Sequence, residues 1–302
     1  MLSVKGTEVI VENVKELLKD DPIGWIWKCF NEIAQQATEK KDFFSYLEPW
    51  LSSYERWVYE NYPEVYQTII RRSEDNARLR SLLNQDRWAL IILDSLSLRE
   101  GYLLQQEISG ELHGQFDYTY APLPTETEFF AQRYLGVKAP SFLKSLRSLS
   151  YSFEEIEVED DLSGKNFERD KVLVWSRQPD KQLHGFTEAF RITQLNKAYQ
   201  EAKRILIPLI SRLIEAHDTV YITSDHGYVT DLYSWEGLAD FPSDLRYAPT
   251  IPESYTANCI KHRDYWLIVG RFNTVKRGKY GHVRHGGLSL MEVLVPYIKV
   301  AR

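Results

Sequence analysis

Three short apolar runs constrain this chain more than any other feature: "WALIILD" ending at Asp94, "KVLVWSRQPD" ending at Asp180, and "TVYITSDHG" carrying Asp225 and His226. Each begins with a continuous stretch of β-prone residues, as expected of a strand buried on both faces. Each then gives way to polar groups. "YWLIVGRF" (265–272) and "VLVPYIKV" (293–300) predict two further strands, and the amphipathic segment 187–216 predicts a long helix. Strands alternating with helices predict an α/β fold with a mainly parallel sheet flanked by helices. In such sheets ligands bind beyond the carboxyl ends of the strands, where these acids and imidazoles fall.

Residues 8 to about 86 carry apolar residues at spacings of three and four, with Pro22, Pro49 and Pro63 as punctuation. They predict an N-terminal helical region, 1–86, packed on a core domain spanning 87–302. The acidic segment 151–170 is expected to be a surface loop or hairpin. A chain of 302 residues with 43% hydrophobic and 26% charged residues fits a soluble globular protein with a sizeable core. A net charge of -6 argues against wholesale coating of nucleic acid, though a local basic groove remains compatible with it. Cys29 and Cys259 have no metal-ligand spacing and are expected to be buried thiols. The N-terminus lacks a signal-peptide pattern, and no window approaches a membrane span, so the expected location is cytoplasmic with no membrane partner.

The polar groups at the strand ends form a set: Asp94, then Asp180 and His184 four residues apart, then Asp225-His226, then His285 before a Gly-Gly pair. Each has a structural reading too. Asp94 can cap a helix, an Asp-His pair can close a turn, and His285 can sit in the core. Three carboxylates and three imidazoles, however, make two mixed nitrogen/oxygen sites of the kind zinc takes readily. Two cations about 3.5–4 Å apart clamp the attacking and leaving oxygens of a phosphoryl group. "APLPTETEFF" offers Thr125 and Thr127 as hydroxyl nucleophiles. Ser289 and Glu292 have the spacing of a capping box, so a short helix is expected just after His285, with Gly286 and Gly287 letting the chain bend.

The order of these residues resembles the alkaline phosphatase superfamily. "PDKQLHG" is similar to a segment of nucleotide pyrophosphatase/phosphodiesterases, and "LPTET" to their nucleophile turn; "LPTETEFF", "TSDHG" and "RHGGLSLMEVLVPYI" resemble the PglZ domain. The resemblance spans residues 87–302 and implies an alkaline-phosphatase-like core holding two Zn2+, with Mn2+ as an alternative. It implies one ion on Asp180, His184 and His285, the other on Asp94, Asp225 and His226, and Thr127 as nucleophile. It also implies a metal-dependent phosphodiesterase acting on nucleotide or nucleic-acid phosphodiesters. By analogy a role in bacterial antiphage defence follows, with a defence-system protein as partner. Alternatives are a phosphomonoesterase of the same superfamily, or an inactive PglZ-like scaffold docking a partner through the tryptophan-rich helices. Arg99, Arg277, Lys279 and Arg284 are candidate substrate-binding residues, because they lie close in sequence to the ligands Asp94 and His285.

Overall fold

The computed structural model describes residues 21–108, 112–137, 144, 146, 147, 151–157, 161–185, 190–275 and 282–302. Its centre is a six-stranded sheet built from β1 (Trp88–Leu93), β2 (His113–Tyr120), β3 (Ser152–Ile156), β4 (Lys171–Ser176), β5 (Thr219–Ser224) and β6 (Leu294–Ala301), in the order β2-β6-β5-β1-β4-β3. The pairs β5-β1, β1-β4 and β4-β3 are parallel, whereas β6 runs antiparallel to both β5 and β2. This is the α/β class the sequence predicts.

Every residue of β1 is buried, and the strand divides its side chains between two layers. Ala89, Ile91 and Leu93 join Leu195, Leu206 and Leu213 of the helix Thr193–Ala216, while Leu90 and Ile92 join Leu79, Leu82 and Phe130 on the opposite face. A period of two with both faces covered explains why the sequence shows no alternation here.

Among the described residues, four helices precede the sheet: α1 (Pro22–Thr38), α2 (Phe43–Asn61), α3 (Glu64–Glu74) and α4 (Ala77–Leu83). The chain breaks after α1, and Asp42 restarts it by accepting the Ser45 N–H at 3.1 Å. Pro49 lies inside α2 and ends no element, a correction to its expected role. The expected helical turn over residues 8–20 lies outside the described residues. Ile23, Phe30, Leu47, Tyr66 and Ile69 share one apolar cluster with Leu267, Leu288, Met291 and Leu294.

Beneath that cluster runs a buried ionic network. Glu48 pairs with Arg99, and with Arg271 at 3.0 Å; Glu55 pairs with Arg271 at 3.0 Å and accepts the Leu290 N–H at 2.5 Å. Both glutamates lie on α2, so they neutralise arginines from distant segments that would otherwise be buried as bare charges.

Other expectations need correcting. Within 151–170, Ser152–Ile156 is the edge strand β3; its Glu154 and Glu155 take Lys165 and Arg177 as partners at 3.2 and 3.1 Å. "YWLIVGRF" contributes Tyr265–Ile268 to a separate three-stranded antiparallel sheet. Cys259 is buried but Cys29 only half-buried; both are free, and burial pushes their thiols up to about 12 and about 11. Among the described residues, no helix is long and apolar enough to cross a membrane.

Candidate metal centre

Three adjacent parallel strands stop at one level, because Leu93 of β1 is paired with Ser176 of β4 and with Ser224 of β5. The chain leaving each strand therefore delivers its polar residues to one edge. Asp94 continues the ladder for one step, its N–H reaching the Ser176 carbonyl at 2.9 Å, and its own carbonyl accepts the Asp180 N–H at 3.1 Å. Helix α5 (Leu98–Glu107) follows β1, while α7 (Asp180–His184) follows β4. Within α7 the spacing of four places His184 one turn above Asp180, with Nε2 3.1 Å from Oδ1.

Asp225 is held by backbone. Its Oδ1 accepts the N–H groups of Ser95 and His226 at 3.2 and 2.9 Å, which turns Oδ2 toward Thr127. Thr127 begins the short helix α6 (Thr127–Phe130), and its Oγ1 donates to Asp225 Oδ2 at 2.5 Å. His226 Nδ1 lies 3.0 Å from the Gly227 carbonyl, which can only accept, so the proton sits on Nδ1. Its bare Nε2 then faces Asp94, Asp225 and Thr127 at 3.7, 3.6 and 3.4 Å. Thr125, by contrast, is occupied with backbone: its Oγ1 accepts the Gly286 N–H at 2.8 Å and donates to the Gly287 carbonyl at 3.1 Å.

His285 arrives from the chain preceding β6. Its ring stacks on His226 at 4.3 Å and meets His184 edge-on at 5.6 Å. The turn needs Gly286, whose φ of 97° is a left-handed conformation costly for other residues. Ser289 and Glu292 then form a complete capping box at the start of α9 (Leu290–Val293), as their spacing predicts. Gly227 serves differently. A Cβ there would stand 2.0 Å from the Met291 carbonyl oxygen, so only glycine lets the loop after His226 lie against α9.

Two groups of three ligand atoms result, each within 4.8 Å: Asp180 with His184 and His285, and Asp94 with Asp225 and His226. Their electrostatics fit cations. Burial pushes the Asp94 carboxyl well above its usual range, and repulsion from Asp180, Asp225 and Glu126 adds to it, against a small opposing effect of Arg177. Burial also works to raise Asp180, but its hydrogen bond with His184 and the charges of His184 and His285 hold it below the usual range. Carboxylates crowded in a place shielded from water repel strongly, and a divalent ion within each group cancels that charge. Mixed oxygen and nitrogen donors suit zinc, with manganese also acceptable.

Two contributors carried no signal in the sequence. Ser95 adopts a left-handed backbone (φ 63°) and its Oγ donates to Asp180 Oδ1 at 2.7 Å, so one residue links both ligand groups. Glu126 places Oε1 3.1 Å from His285 Nδ1. The basic candidates fare differently. Arg99 is fully buried, bonded to Glu48, Ser97 and the Tyr228 carbonyl, so its charge is already spent inside the protein. Arg284 is likewise buried, its Nε 3.4 Å from Asp231 and its Nη1 3.3 Å from the Asp244 carbonyl. Neither is available to a substrate as expected. Arg277 and Lys279 lie outside the described residues.

No protein-family model matches the sequence, and no curated protein does. Among solved structures, murine ectonucleotide pyrophosphatase/phosphodiesterase 5 superposes with a TM-score of 0.41 at 11% identity, covering 70% of this chain and 87% of that one. The inactive murine variant in complex with AMP gives 0.39 at 10%, covering 71% and 88%. The human protein also gives 0.39 at 10%, covering 70% and 87%.

Proposed function

We propose that this protein is a metal-dependent phosphodiesterase of PglZ type, within the alkaline phosphatase superfamily, acting on nucleotide or nucleic-acid phosphodiesters through Thr127. One observation carries the reading: the Thr127 hydroxyl lies 2.5 Å from Asp225 and 3.4 Å from the bare nitrogen of His226, beside two groups with the donor set of a two-cation site. Divalent ions bound there supply charge cancellation for the phosphoryl group and acidify the hydroxyl.

The chain does the rest. Asp225, fixed by two backbone N–H groups, accepts the Thr127 proton as Oγ1 attacks phosphorus in line. The bond from phosphorus to the leaving oxygen breaks, that oxygen takes a proton from solvent, and a phospho-threonine forms. Water then attacks that phosphorus from the vacated side and gives a proton to solvent, while the departing Thr127 Oγ1 recovers its proton from Asp225. Asp180 and His184, fixed one turn apart, and the His226–His285 stack keep the ligand atoms in place through both steps. By analogy with PglZ-type proteins, this reading adds a role in antiphage defence and a defence-system protein as candidate partner.

The test is hydrolysis of bis-p-nitrophenyl phosphate and p-nitrophenyl phosphate with Zn2+, with Mn2+ and with EDTA. Metal-dependent cleavage of the diester, abolished in Thr127→Ala and Asp225→Ala, is expected. Preference for the monoester would replace the reading with a phosphomonoesterase. No turnover of either ester, with no metal retained on purification, would leave a scaffold.

A further inference from the structure

Arg99 and Arg284 spend their charges internally, so the question is where open positive charge lies among the described residues. It gathers on three segments far apart in sequence. Arg80 of α4, Arg133 just beyond α6, and Arg263 at the tip of the hairpin between Cys259–His262 and Tyr265–Ile268 line one pocket of about 550 Å³. Pro124 and Phe129, which flank Thr127 in sequence, form another of its walls.

These arginines share few partners. Arg263 pairs with the Glu74 carboxylate at 2.9 Å, whereas Arg80 and Arg133 reach only the Glu74 carbonyl, at 3.1 and 2.5 Å. Arg133 Nε is buried and has no hydrogen-bond partner. Three guanidinium charges thus face the carboxylates of Glu74 and Asp264, leaving one positive charge over. Burial, and then the charges of Arg263 and Arg80, depress the Arg133 pKa, the mark of a cation short of anions. Arg263 also holds a left-handed backbone (φ 51°) in a two-residue hairpin loop, a position glycine fills at less cost.

The pocket lies close to the candidate centre. Phe129 packs edge-on against Tyr265 and Tyr247, with ring centroids 5.8 and 6.0 Å away. Tyr247 in turn lies against Gly286, next to His285: a Cβ on Gly286 would meet its ring at 2.8 Å.

We propose that this pocket binds a second phosphate group of the substrate, one that is not hydrolysed. The proposal rests on the phosphodiesterase reading and narrows it to substrates with a further phosphate beyond the scissile one. Arginine suits this task, since its planar fork meets phosphate oxygens in pairs.

The experiment compares two chromogenic diesters, thymidine 5′-(p-nitrophenyl phosphate) and the same compound carrying a 3′-phosphate. The expected result is a KM at least tenfold lower for the 3′-phosphorylated ester, with the advantage lost in Arg133→Gln/Arg263→Gln and reduced in the single variant Arg80→Gln. Circular dichroism establishes that each variant is folded, and the exposed Arg80 serves if the double variant is not. Equal KM values, with bis-p-nitrophenyl phosphate still hydrolysed, would overturn the pocket and leave the phosphodiesterase standing. If no diester is hydrolysed, the functional reading fails, and calorimetry with thymidine 3′,5′-bisphosphate decides the pocket alone. Binding lost in the arginine variants would retain it; no binding to the wild type would end it.

Discussion

Glu126 Oε1 stands 3.1 Å from His285 Nδ1, in the residue immediately before the Thr127 hydroxyl that bonds Asp225. A carboxylate behind a ligating imidazole fixes the ring and raises its basicity. Glu126→Gln is therefore expected to weaken Zn2+ binding by about 10–100-fold, read by competition with a chromogenic chelator. Unchanged affinity would show that His285 needs no such support.

The same pair sets a pH dependence in the metal-free protein. Burial disfavours the charged His285 ring, but Glu126 outweighs it and raises the pKa to about 9, against about 6.5 for an unperturbed histidine. The folded state thus binds this proton more tightly than the unfolded one. Its stabilisation is complete below pH 6.5 and disappears as the pH rises through 9. Asp94, raised chiefly by burial, acts in the same direction from a lower starting pH. Thermal melts of the metal-free protein should fall across that window while zinc affinity rises, since the ligands must be deprotonated. A flat melting temperature would contradict the His285–Glu126 pairing.

Glu48 neutralises two fully buried arginines, Arg99 and Arg271. Removing it breaks the ion pair of Arg99 and leaves Arg271 with Glu55 alone, and breaking a buried pair costs about 3–5 kcal/mol. Urea unfolding of Glu48→Ala should show a loss of that order. A much smaller loss would mean that water reaches the network.

Gly227→Ala puts a methyl group against the Met291 carbonyl oxygen. Overpacking of this kind costs about 1–3 kcal/mol. Because the clash also displaces the chain directly after His226, metal affinity should fall along with the melting temperature. Retention of both would show that α9 gives way.

Much of the candidate site could be read from the sequence because its ligands follow apolar runs directly. A run buried on both faces marks a central strand, and its last polar residue marks the edge where chemistry collects. The outer strands gave no such signal. β2, "HGQFDYTY", and β3, "SFEEI", are the two edges of the sheet, where mixed composition is tolerated and propensity says little. Ser95 and Glu126 were invisible because their roles depend on partners brought together only by the fold. Arg99 and Arg284 misled for the same reason. Their neighbours in sequence are candidate ligands, but Glu48 and Asp231, which claim their charges, lie 51 and 53 residues away.

The ionic network has a consequence for how the chain is made. Glu55 leaves the ribosome 216 residues before Arg271 and 235 before Leu290, its partners in the finished protein. At about 5–20 residues per second, that is a wait of roughly 10–50 s. During it α2 lacks the Arg271 charge, and the apolar cluster it shares with α1 lacks its cover from Leu267, Leu288, Met291 and Leu294. Helices α1 and α2 are thus made well before the segments that complete their packing, and in that interval this part of the nascent chain stands open to chaperones and proteases.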